Sequence, residues 1–267
     1  MYRPRIIAVI LVDGCHAVKT IRFRRRIEIG DPVNAVSILN SFRVDELVLL
    51  DIGATIAGRT IDPGLLKDIA SEARMPFAVG GGIRSCAEIE LLLSLGAEKV
   101  VISTAAIEKP EFLAQAVGTF GSSSITGCLD VGRDIFGRRT VRMRSGTRRA
   151  TSSYREIAKL WESVGVGEII VQSIERDGAM GGYDIPLLRE LAECLSMPVV
   201  GLGGAGALDH MREAYSASEV SALASGSLFC FRDHRRGVLI NYPSESELKS
   251  FSSLRVDCEL INQCRPQ

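Results

Sequence analysis

Residues Met75–Ile83 read MPFAVGGGI, and Met197–Ala205 read MPVVGLGGA, 122 positions later. Each is a short apolar run that stops at glycines. The same offset relates DELVLLDI (Asp45–Ile52) to GEIIVQSI (Gly167–Ile174). A comparable offset relates RIIAVILV (Arg5–Val12) to SITGCLDV (Ser124–Val131). The chain therefore repeats itself once, and the first half mirrors the second.

Eight apolar, β-branched runs read as strands: Ile6–Val12, Glu46–Ile52, Phe77–Val79, Lys99–Ser103, Ser124–Val131, Glu168–Ser173, Val199–Gly201 and Val220–Ala224. Stretches of helical period lie between most of them: Pro63–Ala73, Cys86–Leu95, Pro110–Phe120, Tyr154–Val164, Ile185–Leu195 and Leu208–Ser216. Pro32, Pro110 and Pro186 stand where helices start, a position that tolerates proline. Continuous apolar strands alternating with helices call for a parallel sheet covered on both faces. At 267 residues the natural closed form is a single (β/α)8 TIM barrel of two similar half-barrels. The expected bounds are 1–250 for the barrel, with halves of about 1–122 and 123–249, and 251–267 for a polar C-terminal tail.

Composition excludes several classes. Formal net charge is zero, which favours neither nucleic acid nor a membrane surface. The apolar run Ile6–Val12 is far shorter than a membrane span. Seven cysteines at scattered spacing, without CxxC, fit reduced thiols and a cytoplasmic location. His16, His210 and His234 have no metal-ligand spacing, so neither a metal nor a cofactor is expected. Trp161 is expected on the helix face that packs against the fifth or sixth strand.

The glycine turns carry the first chemical signal. Gly80–Gly82 ends the third strand and Gly203–Gly206 the seventh, on the face where barrel active sites lie. Each has a neighbour one strand on: Ser103 and Thr104, then Gly226 and Ser227. Glycine admits a ligand close to the backbone, and exposed N–H groups there hold anions. Two such turns across one barrel mouth suit a ligand with phosphate at both ends.

The stretches RIIAV, VDELVLLDI, VGGGIR, GAEKV, STAA, TFGS, SIERDG, GYD and GGAG together resemble the cyclase subunit of imidazole glycerol phosphate synthase over nearly the whole chain. The resemblance implies ammonia-dependent ring closure and cleavage of a bisphosphorylated ribonucleotide. It also implies a partner glutaminase at the N-terminal face, whose ammonia passes through the barrel. The implied first phosphate site is Gly82, Ser103 and Thr104, with serine where the family usually has asparagine. The implied second is Asp177, Gly178, Gly204, Gly226 and Ser227. Arg5, Glu46, Lys99 and Glu168 would form a charged gate at the base, beside Glu98, and Lys19 would be the active-site lysine.

One residue departs from that pattern. The family places a carboxylate at the end of strand one and another at the end of strand five, to remove and to supply protons. Here Asp130 is present, but the strand-one position holds Leu11. Asp13 lies two residues on, roughly 6–7 Å along a strand, too far for a simple replacement. Asp51 is either substrate-directed or structural. The early PRIIAVILVDGCHAVKTIRF and the late SLFCFRDHRRGVLINYPSESEL resemble a side branch of the family, the glycosyl-amidation-associated barrels found with surface-polysaccharide synthesis. That branch implies a glutaminase partner and a separate sugar amidotransferase that uses the ammonia. The alternative is an active cyclase of histidine biosynthesis. Arginines crowd two loops, at Arg22 and Arg24–Arg26, and then seven within Arg133–Arg149. They favour an anionic ligand or docking partner; nucleic acid is disfavoured because aromatic residues do not interleave them.

Overall fold

The protein, described here as a computed structural model, is placed over residues 3–252. Its strands are β1 (Arg5–Asp13), β2 (His16–Ile21), β3 (Arg25–Gly30), β4 (Glu46–Asp51), β5 (Phe77–Gly80), β6 (Lys99–Ile102), β7 (Ile125–Arg133), β8 (Arg139–Met143), β9 (Arg148–Arg149), β10 (Glu168–Ser173), β11 (Val199–Leu202) and β12 (Ala222–Ser225). Eight of them pair in parallel in the cyclic order β1, β4, β5, β6, β7, β10, β11, β12 and back to β1. This is the closed (β/α)8 barrel that the strand pattern predicts.

Strand alternation sorts the core into two parts. Ile7, Val9, Val48, Ala78, Val101, Cys128, Ile170, Val200, Ala222 and Ala224 fill the barrel interior. Their neighbours Ile6, Ala8, Leu47, Leu49, Val79, Val100, Leu129, Ile169 and Val199 face outward and join the helix layer. Helix starts follow local chemistry. Pro32, Pro63, Pro110 and Pro186 sit in first turns. Asp31, Asp62 and Ser153 cap backbone N–H groups. Trp161 is fully buried against β7, where a side-chain carbon on Gly127 would strike the indole ring. It packs on the fifth barrel strand, one of the two expected.

The two arginine-bearing loops are not loops. β2 and β3 form an antiparallel hairpin on the end of β1, and β8 and β9 form another on the end of β7. The chain continues in strand form past the barrel rim, where HAVKTI and RTVRM supply the β-branched Val18, Thr20, Ile21, Thr140 and Val141. Of the expected tail over 251–267, Phe251 is fully buried, with the Arg212 guanidinium 5.6 Å from its ring centre. The remainder of that call lies outside the described residues.

Candidate functional site

The C-terminal ends of the barrel strands open into a cavity of about 540 Å³. Gly82, Ser103 and Thr104 line it together, with Arg84 and Arg144 beside them. The Ser103 Oγ is buried and has no hydrogen-bond partner within the protein. Thr104 Oγ1 accepts a 2.9 Å bond from the Arg144 backbone N–H. The second predicted group, Asp177, Gly178, Gly204, Gly226 and Ser227, is also brought together, but around a space of only about 20 Å³. Leu11 and Gln172 line both spaces and so stand between them.

The glycines at the two turns have a reason that involves no ligand. Gly82 adopts φ 70°, and a side-chain carbon there would overlap the Arg59 carbonyl oxygen. Gly204 adopts φ 113°, and a side-chain carbon would overlap the Gly182 carbonyl oxygen. Close approach of the chain's own backbone therefore demands glycine at both.

Lys19 does not reach the larger cavity. It is 4% exposed and lies in the small one, with Nζ 3.4 Å from the Val9 carbonyl and pressed against Gly226. Asp177 is buried there too. Its Oδ2 accepts from Thr20 Oγ1 at 2.6 Å and from the Phe23 N–H at 3.2 Å, and Gln172 Nε2 donates to Oδ1 at 3.4 Å. Burial pushes the Asp177 carboxyl above its ordinary range, against the pull of Thr20 and Lys19.

Asp130 faces the larger cavity opposite the apolar Leu11 and Leu50. Burial, with a smaller push from the Asp177 charge, raises its pKa to about 7, although the Cys128 thiol, 3.8 Å away, donates toward Oδ1 and opposes the rise. Such a carboxyl exchanges protons readily near neutral pH. Leucine has no proton to give. Asp13 is ion-paired to Arg26 and is not among the cavity-lining residues. Asp51 lines the same cavity and is also bonded within the protein: Oδ1 accepts from the Gly53 and Ala54 N–H groups at 3.0 and 2.9 Å, and Oδ2 pairs with Arg59 at 2.5 Å.

At the opposite end of the barrel Arg5, Glu46, Lys99 and Glu168 form a closed ring of alternating charge. Arg5 bonds Glu46 at 2.5 Å and also Glu168, while Lys99 bonds Glu46 at 2.9 Å and Glu168 at 3.1 Å. Both carboxylates are buried, at 4% and 7% exposure. Burial alone would raise the Glu168 carboxyl; Arg5 and Lys99 outweigh it and hold it below its usual value.

Most of the second arginine cluster is ion-paired within the protein, and of the first Arg26 is. Arg144 and Arg148 share Glu108, Arg139 pairs with Asp184 and Glu190, and Arg149 lies 4.0 Å from Asp134. Gln172 and Arg84 escaped the sequence reading. Gln172 was readable, since it continues the inward alternation of Glu168 and Ile170. Arg84 stands within the quoted VGGGIR. Arg144 belongs to the arginine cluster read as favouring an anion, and a tight turn at φ 51° is what delivers it to the rim.

The family described as histidine biosynthesis protein matches residues 5–235. A Leptospira borgpetersenii protein, provisionally named imidazole glycerol phosphate synthase subunit HisF, is 38% identical over 248 residues, covering 92% of this chain and 98% of its own. A Pseudomonas aeruginosa protein, provisionally named subunit hisF2 of that synthase, is 39% identical over 93% of this chain and 99% of its own. The Saccharolobus solfataricus imidazole glycerol phosphate synthase subunit HisF is 36% identical, over 86% of this chain and 91% of its own.

Proposed function

The chain belongs to the histidine biosynthesis protein family of HisF-like cyclase barrels, and from that premise we propose that it is a barrel subunit that conducts ammonia without closing a ring. The observation that carries this reading is Leu11, an apolar side chain opposite Asp130 where cyclisation needs a second acid, in a barrel whose charged ring is complete. A conduit needs the ring and the bore; only cyclisation needs the acid pair. In this reading a glutaminase docks on the N-terminal face, against Arg5, Glu46, Lys99 and Glu168. Uncharged ammonia then crosses the apolar interior, which penalises ammonium. Small residues there, Ala78, Ala222 and Ala224, fill less of the interior than the valines and isoleucines beside them. The acceptor is a separate sugar amidotransferase of surface-polysaccharide synthesis. A phosphorylated small molecule at Gly82, Ser103 and Thr104 occupies the mouth.

One observation favours the alternative, an active cyclase of histidine biosynthesis: Asp130, at about 7, is poised for proton transfer in the cavity. Purified barrel supplied with ammonium and the bisphosphorylated ribonucleotide separates the two. The conduit reading expects no turnover, and recovery in Leu11→Asp. Turnover at the rate of a two-carboxylate cyclase would rule the conduit out. With a glutaminase partner present, Lys99→Ala should uncouple glutamine hydrolysis from ammonia use; unchanged coupling would reduce the ring to a structural feature.

A further inference from the structure

The turn between β7 and β8 holds two apolar side chains out in water. Ile135 is 93% exposed and Phe136 77%, the most exposed large apolar residues among those described. The turn is nonetheless well built. Asp134 Oδ1 accepts from the Phe136 and Arg138 N–H groups, both at 2.9 Å, and the Asp134 N–H donates to the Arg138 carbonyl at 2.9 Å. The Arg138 guanidinium lies 5.9 Å from the Phe136 ring centre. An exposed aromatic held rigidly beside an arginine has the composition of an interface anchor rather than of a solvated loop.

A groove of about 540 Å³ lies on the outer side of the same hairpin, with Met143, Ile157, Leu160 and Trp161 along its apolar floor. Arg149 joins groove and turn, since it lines the groove and lies 4.0 Å from Asp134. Glu108 and Arg144 line both this groove and the cavity at the mouth, so the hairpin is the wall between them. The charge left over around the mouth is positive. Arg22, Arg24, Arg25, Arg138 and Arg142 have no ion pair among the described residues, in a chain of zero net charge.

Ammonia set free in neutral water takes up a proton and loses the lone pair with which it attacks. A conduit that ends at this mouth therefore needs its acceptor enzyme closed over the rim. We propose that the ammonia-consuming amidotransferase docks on the second hairpin, through an acidic surface with an apolar pocket that takes Phe136. The inference rests on the conduit reading and adds to it the face and the anchor. A second copy of this chain is the poorer occupant, because a twofold pairing at this rim would set arginine against arginine.

The test has two arms. In the host cells, Phe136 is replaced by the photocrosslinking residue p-benzoylphenylalanine and the adduct is identified by mass spectrometry. It should be the sugar amidotransferase, and the same probe at the exposed Leu91, on the helix Cys86–Ser94, should not form it. An adduct with a second copy of this chain or with lipid, or no adduct, overturns the docking. In the purified assembly of glutaminase, barrel and amidotransferase, a Phe136→Ser, Arg138→Glu double variant should bind the amidotransferase about tenfold more weakly. It should also pass less glutamine nitrogen to the sugar in competition with isotope-labelled free ammonium, while glutamine hydrolysis stays unchanged because the base is untouched. Binding and transfer as in the wild type overturn the docking and leave the conduit standing. Wild-type transfer that free ammonium dilutes fully, with binding still lost in the variant, overturns the conduit and leaves the docking.

Discussion

Two hairpins arch over the mouth of this barrel from equivalent strands, and each clasps the half it does not belong to. The first, after β1, ties to the second half: Thr20 donates to Asp177 at 2.6 Å and the Arg22 N–H to the Asp177 carbonyl at 3.0 Å. The second, after β7, ties to the first half: the Arg144 N–H bonds Thr104, and Ser145 Oγ donates to the Ile52 carbonyl at 2.7 Å. Their tips meet where Phe23 packs beside Gly146. The hairpins leave equivalent strands, but the side chains they deliver differ. One hairpin brings an ammonium to the mouth beside Leu11; the other leaves its turn open beside Asp130. Duplicated backbone geometry thus coexists with divergent chemistry, because a hairpin's register is set by its ladder while its cargo is set by single residues.

The largest test concerns the base, where the halves are not separable. Arg5, Glu46 and Lys99 come from the first half and Glu168 from the second. Lys99→Met leaves two buried carboxylates sharing Arg5 and should cost about 3 kcal/mol in chemical denaturation. A loss below about 1 kcal/mol would mean that the ring behaves as solvated surface charge. Next, Gly82→Ala and Gly204→Ala should each destabilise by about 2 kcal/mol or more, and about equally. If only one does, the two turns are not structural equivalents.

Asp130→Asn and Leu11→Asn sharpen the contrast at the mouth. The Asp130 carboxyl is raised from 3.8 to about 7 in the folded protein, so the fold favours its protonated form. That contribution is complete below pH 3.8 and is lost as pH rises through about 7. Asp130→Asn, which cannot ionise, should therefore gain thermal stability relative to the wild type across this window. Leu11→Asn should leave the wild-type pH profile unchanged in shape. A flat difference for Asp130→Asn would place its carboxyl in water. The smallest effects belong to the clasps: Thr20→Val and Ser145→Ala should each cost about 1 kcal/mol by urea unfolding. Thr20→Val has the larger consequence for the mouth, because it removes the shortest of the hydrogen bonds to the Asp177 carboxyl.

Much of this molecule was legible in the chain. Apolar, β-branched runs identified all eight barrel strands, since burial on both faces writes itself as continuous apolar sequence. The internal repeat alone pairs Leu11 with Asp130. Arg5, Glu46, Lys99 and Glu168 each fall at the start of a strand with inward parity, and their meeting follows from closure. What could not be read was the continuation of β1 and β7 into hairpins, because alternation does not say whether a strand stays in the barrel. The glycines were read through a ligand, whereas Gly82 and Gly204 are required first by neighbouring backbone.

By itself, then, the sequence determined the barrel and its duplication, because these depend on periodicity and residue type, while the missing acid and the charged ring were legible through the family resemblance. Tertiary structure alone decided that Lys19 enters the second turn, that Asp177 serves the hairpin through Thr20, and that Arg139, Arg144 and Arg148 are matched by Glu108, Asp184 and Glu190. Those pairings join residues far apart in the chain, and only the closed barrel brings them within hydrogen-bond reach.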